Sequence, residues 1–351
     1  MNQKVPFVSV IIPSRNEGKF IGQCLDSIIA QNYPKEKIEI LVVDGMSEDN
    51  TVRIVKEYHP RYSFINLLEN PKKITPCALN IGIKNAKGEI IIRMDAHAGY
   101  ENNYIAKCVK YLKEYDADNV GGSMVTLPKE NTSVARAIAF CLSHFFGTGG
   151  SAFRVGSTEP RWVDTVFGGC YKKEVFNKVG FFSENLVRSQ DMEFNIRLKS
   201  AGGKILLVPE IVSYYYPKSD LKDFFIHNFE DGIWAVYPMK FIKTPLKLRH
   251  YIPLFFVLGL LGTGLAGIFI SVFWWLFAAV LGLYLLFALY FSIPIAVKQK
   301  DIKYLFVMPV TFACRHFGYG LGSIWGGIKL LLPKNVPSVR KMLIEFRGKY
   351  D

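Results

Sequence analysis

The chain has 351 residues, enough for about two domains, and half of them are hydrophobic. Its 43 lysines and arginines against 30 acidic residues leave a net charge of +13. No basic run with interleaved aromatics forms a nucleic-acid module, so the charge points instead to anionic lipid headgroups and phosphorylated ligands.

Met1 to Phe7 has no long apolar core and no cleavage site, which predicts that no signal peptide is present. Strand and helix signals then alternate. Phe7 to Pro13 is an apolar run closed by proline, and Lys19 to Gln31 places Ile21, Leu25, Ile28 and Ile29 on one helical face. Strands are predicted at Ile38 to Val43, Phe64 to Leu68 and Glu89 to Met94, and helices at Thr51 to Tyr58 and Thr75 to Ala86. Such alternation predicts an α/β fold, a mainly parallel sheet covered on both faces. Beyond Val125 the pattern loosens, with Gly147 to Gly150, a turn at Phe167-Gly168-Gly169 and a helix from Asp191 to Ala201. Cysteines 24, 77, 108, 141, 170 and 314 show no metal spacing and read as small buried side chains.

Three polar turns follow the predicted strands. The first, Pro13-Ser14-Arg15-Asn16-Glu17-Gly18, lacks the G-x-G-x-x-G of a dinucleotide fold and suits hydrogen bonding to a base and ribose. In the second, Asp44 ends its strand where its oxygens can accept from a uracil-type N–H, Gly45 permits close approach, and Ser47 and Asp49 can cap the next helix. The third is Asp95-Ala96-His97, two metal-competent side chains at the carboxyl edge of the sheet. His97 can ligate a cation, hydrogen-bond to a diphosphate, or support a ligand without touching the cation itself.

Leu221 to Met239 mixes aromatics with charges and reads as an interfacial helix. From Tyr251 to Val297 there are 47 residues without Asp, Glu, Lys, Arg or His, which fits two membrane helices reversing near Ser271 to Trp275. Tyr304 to Leu332, rich in glycine and interrupted by Arg315 and His316, either spans or lies in the interface. Lys240, Lys243, Lys247 and Arg249 precede the hairpin and Lys298, Lys300 and Lys303 follow it, so the positive-inside rule places both flanks in the cytoplasm. The basic tail, with Lys334, Arg340, Lys341, Arg347 and Lys349, conflicts with that rule if the third segment spans once. The expected division is residues 1–217 as a cytoplasmic catalytic domain, 218–249 as an interfacial segment, 250–332 as a multi-pass region of the cell membrane, and 333–351 as a tail.

The Pro-x-x-Asn-Glu loop, the Asp-Gly-x-Ser turn and Asp-Ala-His, together with Pro76, Ala78-Leu79-Asn80 and Gly82-Ile83, resemble the family 2 glycosyltransferases of GT-A fold, on the branch of the succinoglycan biosynthesis glucosyltransferases. The resemblance runs from Val8 to about Pro217. It implies nucleotide contacts from Pro13, Arg15, Glu17, Asp44, Gly45, Lys73, Asn80 and Asp95, and Mn²⁺ or Mg²⁺ held by Asp95 and His97. The imidazole tilts the preference toward Mn²⁺. In Ser189-Gln190-Asp191, Asp191 inherits the catalytic base, with Gln190 where the family has Glu. Gly168, Gly169, Gln190 and Trp234 would meet the acceptor. The implied reaction moves one sugar, with inversion, from a nucleotide diphosphate sugar such as a UDP-sugar to a polyprenyl diphosphate-linked saccharide at a lipid surface. Asp231-Gly232-Ile233-Trp234 stands where processive synthases carry Gln-x-x-Arg-Trp, which counts against polymerisation. Transfer straight to polyprenyl phosphate would need a basic pocket. A non-catalytic scaffold would have lost Asp95, His97 or Asp191, and all three are present.

Overall fold

The computed structural model describes residues 5–240 and 248–331. Lys243, Lys247 and the basic tail lie outside them. The first half alternates β1 (Val8–Ser14), α1 (Ile21–Ile29), β2 (Ile38–Asp44), α2 (Thr51–Tyr58), β3 (Ile65–Glu69), α3 (Thr75–Asn85) and β4 (Ile90–Arg93). There follow β5 (Gly99–Tyr100), α4 (Tyr104–Glu114), β6 (Asn119–Thr126), and the helices α5 (Ser133–Ser143), α6 (Phe145–Thr148) and α7 (Ala152–Val155). Then come β7 (Arg161–Trp162), β8 (Cys170–Lys172), α8 (Glu174–Val179), α9 (Gln190–Ser200) and β9 (Ile205–Tyr215). The chain closes with α10 (Leu221–Val236), α11 (Ile252–Phe269), α12 (Val272–Gln299) and α13 (Tyr304–Leu331).

The nine strands form one mixed, mostly parallel sheet in the order β3-β2-β1-β4-β8-β6-β9-β5, with β7 also on β9. Near-continuous apolar runs suit strands buried on both faces, and every residue of β2 is buried. Alternation within β1 feeds two cores. Val10 and Ile12 pack with Leu25 and Ile28 of α1 and Ile105 of α4, while Ile11 packs with Leu79 and Ile83 of α3 and Phe194 of α9. Each fully buried Leu, Ile or Phe contributes about 1.5–3 kcal/mol. Ser14 lies opposite Asp44, and Ile11 opposite Arg93, so the turns after β1, β2 and β4 leave from one edge. That edge is where open α/β sheets bind ligands.

The expected apolar hairpin is present as α11 and α12, both long and apolar enough to cross a membrane, reversing at Ile270 and Ser271. Phe269 and Trp275, at 86% and 79% exposure, face outward, an arrangement suited to lipid and costly in water. The third segment is a continuous helix packed against α5, α10, α11 and α12. Its glycines explain the fit with α10: a Cβ on Gly322 would lie 2.0 Å from the Phe229 carbonyl, and one on Gly232 would lie 2.0 Å from the Tyr319 carbonyl. Small residues at these crossings let the two backbones touch, and Ser323 Oγ donates to the Gly232 carbonyl at 3.1 Å. Arg315 and His316 face inward. Arg315 donates to the Gly147 carbonyl and to Asn228 Oδ1, and His316 bonds the Phe146 carbonyl and the Tyr284 hydroxyl.

Candidate active site

The turns after β1 and β2 are built as one unit. Asn16, at φ +56°, donates its N–H to Ser47 Oγ and accepts from the Glu48 N–H, while the N–H groups of Glu17 and Gly18 reach Thr51 Oγ1 and Asp49 Oδ2 at 2.8 and 2.9 Å. Asp44 is buried, and its two oxygens accept from the hydroxyl and N–H of Ser47 at 2.5 and 2.9 Å. Asp49 accepts from the Thr51 N–H at the start of α2. A Cβ on Gly45 would press on the Arg15 side chain at 3.2 Å, so glycine lets these two turns close.

Arg93 is the organising charge, and sequence reasoning missed it. It ends β4 with its Nε 3.1 Å from Asp95 Oδ1 and its Nη1 4.0 Å from Asp191 Oδ2, on a side chain only 12% exposed. Burial opposes its charge, but the carboxylates of Asp95 and Asp191 outweigh that effect and hold the guanidinium protonated beyond its ordinary range. The readable signal was a lone cation closing Ile90-Ile91-Ile92, two residues before an aspartate. Asp191 sits in the first turn of α9, before which Ser189 takes φ +59°, and the Met192 N–H donates to Asp191 Oδ1 at 2.8 Å. A carboxylate at this N-terminus also suits the helix dipole.

His97 Nδ1 lies 3.0 Å from Glu17 Oε1, and that bond, with Asp95 near, raises the imidazole pKa against the pull of burial. Among the described residues no three His, Cys, Asp or Glu side chains converge as a complete metal cage. Asp95 and His97 nevertheless fit a divalent cation completed by substrate phosphate oxygens. A ligating histidine commonly gives its other nitrogen to a carboxylate, and Glu17 occupies that place.

A single cleft of about 1110 Å³ joins these parts, lined at the sheet edge by Pro13, Arg15, Glu17, Gly45 and Lys73 and further in by Arg93, Asp95, His97, Gln190 and Asp191. It continues to Arg154, Arg188 and Arg315 beside the apolar helices. Five expected contacts lie off the cleft lining, among them Asp44, whose two oxygens are taken by Ser47. The Asn80 amide, buried on α3, donates to the Phe182 carbonyl and accepts from its N–H, so it ties down the Phe182 to Glu184 segment instead of meeting nucleotide. Gly168 and Gly169 take φ +69° and +102° under Arg93 and Tyr171, a turn that shapes the cleft wall without lining it. Trp234 meets Tyr237 edge to face, and its carbonyl accepts from Ser189, so it buttresses the turn before Asp191 and does not line the cleft.

Residues 9–180 match the glycosyl transferase family 2 domain. The chain is 29% identical over 330 residues to the dolichyl N-acetyl-α-D-glucosaminyl phosphate 3-β-D-2,3-diacetamido-2,3-dideoxy-β-D-glucuronosyltransferase of Methanococcus voltae, covering 92% of this chain and 98% of that protein. It is 28% identical over 225 residues to the succinoglycan biosynthesis protein ExoA of Rhizobium meliloti, covering 64% of this chain and 67% of that one. Among solved structures, the mannosyltransferase PcManGT of Pyrobaculum calidifontis, in complex with GDP-Man and Mn²⁺, shares the fold with a TM-score of 0.57 at 20% identity, over 94% of this chain and 88% of that one.

Proposed function

From the premise that this glycosyltransferase carries a family 2 domain of GT-A type over residues 9–180, we propose that it is membrane-anchored and inverting. It would carry one sugar from a nucleotide diphosphate sugar, a UDP-sugar in the first instance, to a polyprenyl-linked saccharide at the cytoplasmic face. One observation carries the reading: Arg93 holds Asp95 on one side and Asp191 on the other, inside a cleft that runs on to two bilayer-length helices. The leaving diphosphate and the attacking hydroxyl would therefore meet within a few ångströms of one guanidinium.

Asp191 takes the proton from the acceptor hydroxyl as its oxygen bonds to the anomeric carbon. The bond to the diphosphate breaks on the opposite face, so configuration inverts without a covalent enzyme intermediate. Arg93 faces Asp191 across 4.0 Å, and Lys73 and Arg15 receive the phosphates and nucleotide. A Mn²⁺ or Mg²⁺ ion held by Asp95 and His97 would neutralise charge on the departing diphosphate. Glu17 fixes the His97 ring through Nδ1 and leaves Nε2 for the cation. The Mn²⁺ in the PcManGT complex supports a divalent cation here, and the dolichyl N-acetyl-α-D-glucosaminyl phosphate for which the Methanococcus voltae relative is named supports a sugar-bearing lipid acceptor over a bare lipid phosphate. The cytoplasmic placement rests on Lys240 and Arg249 before the hairpin and Lys298, Lys300 and Lys303 after it.

The test is a panel of UDP-, GDP- and dTDP-sugars offered to the purified chain with lipid-linked saccharide acceptors, reading nucleoside diphosphate release and transferred sugar. Transfer from one donor class is expected. Release of no nucleotide above a protein-free control, with any donor and acceptor in the panel, would remove the assignment.

A further inference from the structure

The membrane end of the cleft is unbalanced in charge. Arg154, Arg188 and Arg315 line it against one carboxylate, Asp231. Arg188 is matched, since it bonds Glu230 and holds Asp231 at 2.8 Å, and Asp231 also leans on His227 at 3.6 Å. Neither Arg154 nor Arg315 has a carboxylate within ion-pair distance among the described residues, and Asp231, already paired with Arg188, acts on both only through space. Arg315 donates to two neutral oxygens, the Gly147 carbonyl and Asn228 Oδ1. Arg154 lies over the rings of Phe153 and Tyr215 at 5.6 and 5.4 Å, and its Nη1 is buried with no hydrogen-bond partner. Burial first, and then the like charge of Arg315, push the Arg154 pKa down to about 10. Two half-buried guanidinium groups lining one cleft, one of them with a buried unused donor, form an arrangement that an anion stabilises.

We propose that Arg154 and Arg315 form an anion subsite that takes the phosphate joining an acceptor's prenyl chain to its sugar. This rests on the lipid-acceptor reading and adds to it the residues that read the lipid end. The surroundings suit that ligand on both sides. Outward from the arginines the cleft is walled by Phe146, Ile252, Pro253, Phe256 and Tyr284, an apolar passage between α6 and the helices α11 and α12. Inward it opens on Gln190 and Asp191, where the sugar attached to that phosphate would present its hydroxyl. An arginine fork binds phosphate in two parallel hydrogen bonds, which fixes the direction as well as the position of the ligand. The donor's diphosphate would have its own cations, Arg15 and Lys73, at the turns that follow the parallel strands.

The test uses the full chain in phosphatidylcholine nanodiscs and measures binding of farnesyl phosphate, farnesol and inorganic phosphate, with UDP and GDP binding and melting temperature as controls. Farnesyl phosphate should bind and farnesol should not. Arg154→Gln should weaken farnesyl phosphate about 10- to 100-fold, as expected for losing a charge-assisted hydrogen bond, and Arg154→Lys should restore part of the loss. Because Arg315 also joins α6 to α10, Arg315→Gln is read only if its melting temperature is retained, and Arg154→Gln decides the matter alone. Equal binding by wild type and Arg154→Gln overturns the subsite but leaves the lipid-acceptor reading standing, provided wild type still transfers sugar to a lipid-linked saccharide. If wild type binds no prenyl phosphate and transfers only to soluble saccharides, both fall. A further arm adds phosphatidylglycerol to the nanodiscs. Competition with farnesyl phosphate at equal concentration would make this a general headgroup site and overturn the assignment to the acceptor.

Discussion

Replacing Asp191 with asparagine separates catalysis from structure cleanly, because the side chain makes few contacts. Its Oδ1 accepts from the Met192 N–H, a bond the asparagine carbonyl keeps. Its Oδ2 faces Arg93 at 4.0 Å, too long for a hydrogen bond, and the side chain is 33% exposed. An ion pair of that length and exposure is worth at most about 1 kcal/mol, so the melting temperature should fall by no more than ~4 °C. Loss of a general base removes roughly 10² to 10⁴ in rate, or about 2.7 to 5.4 kcal/mol of transition-state stabilisation. Transfer of labelled sugar from the active donor to the lipid acceptor, measured beside nucleotide affinity and melting, should show a collapse of turnover with both controls preserved. If Asp191→Asn retains more than about a tenth of wild-type transfer, Asp191 is not the base. If turnover and stability collapse together, the residue is structural and the local geometry has been misjudged.

Exhaustive chelation should abolish transfer, with Mn²⁺ restoring more than Mg²⁺, and His97→Asp should move that preference toward Mg²⁺; full activity in chelator would exclude a metal at Asp95 and His97. Asn80→Ala strips partners from the buried N–H and carbonyl of Phe182 and should cost about 2–4 kcal/mol in chemical unfolding; nucleotide affinity that falls in step with a direct contact, in protein still fully folded, would restore Asn80 to the donor site. Gly322→Ala drives a Cβ to 2.0 Å from the Phe229 carbonyl and should destabilise by at least 1–3 kcal/mol, whereas a Cβ on Gly327 meets nothing within 4 Å and Gly327→Ala should be neutral or stabilising by up to about 1 kcal/mol; equal melting shifts would contradict the α10–α13 contact. On a background without native cysteines, a cysteine at position 271 should react with an impermeant reagent in intact cells and one at 299 should not; labelling at 299 from outside would invert the topology.

The parallel half of the sheet was legible because its signals are local. Ile11, Leu41 and Ile91 sit in strands apolar on both faces, and each strand ends at a polar turn whose residues are neighbours in sequence. What escaped depends on partners far along the chain. Asn80 looked like a nucleotide contact, yet its amide is consumed by Phe182, 102 positions away. Arg315 read as a flaw in an apolar segment, and only folding brings it to Gly147 and Asn228. The glycines of α13 at 318, 322 and 326 recur every four residues and mark one close-packing face, but only folding shows that this face answers α10. The loosely patterned stretch after Val125 holds α5, whose apolar side chains Ile138 and Leu142 are covered by Met308 and Phe312 of α13, so the helix cannot declare its buried face alone.

The backbone contact between α10 and α13 also sets a height. Arg188, three residues before Asp191, is pinned by Glu230 and Asp231 on α10, and α10 is seated without a spacer on a helix that packs against α11 and α12. Asp191 therefore cannot rise or sink relative to those helices without breaking either the ion pairs or the glycine seam. For an acceptor tethered at its lipid end, reach becomes a form of selection: a hydroxyl one sugar too near the bilayer or one too far passes Asp191 by, whatever its stereochemistry. Under the proposed function, the number of sugars already on the lipid would be counted by a rigid distance and would need no pocket to recognise each of them.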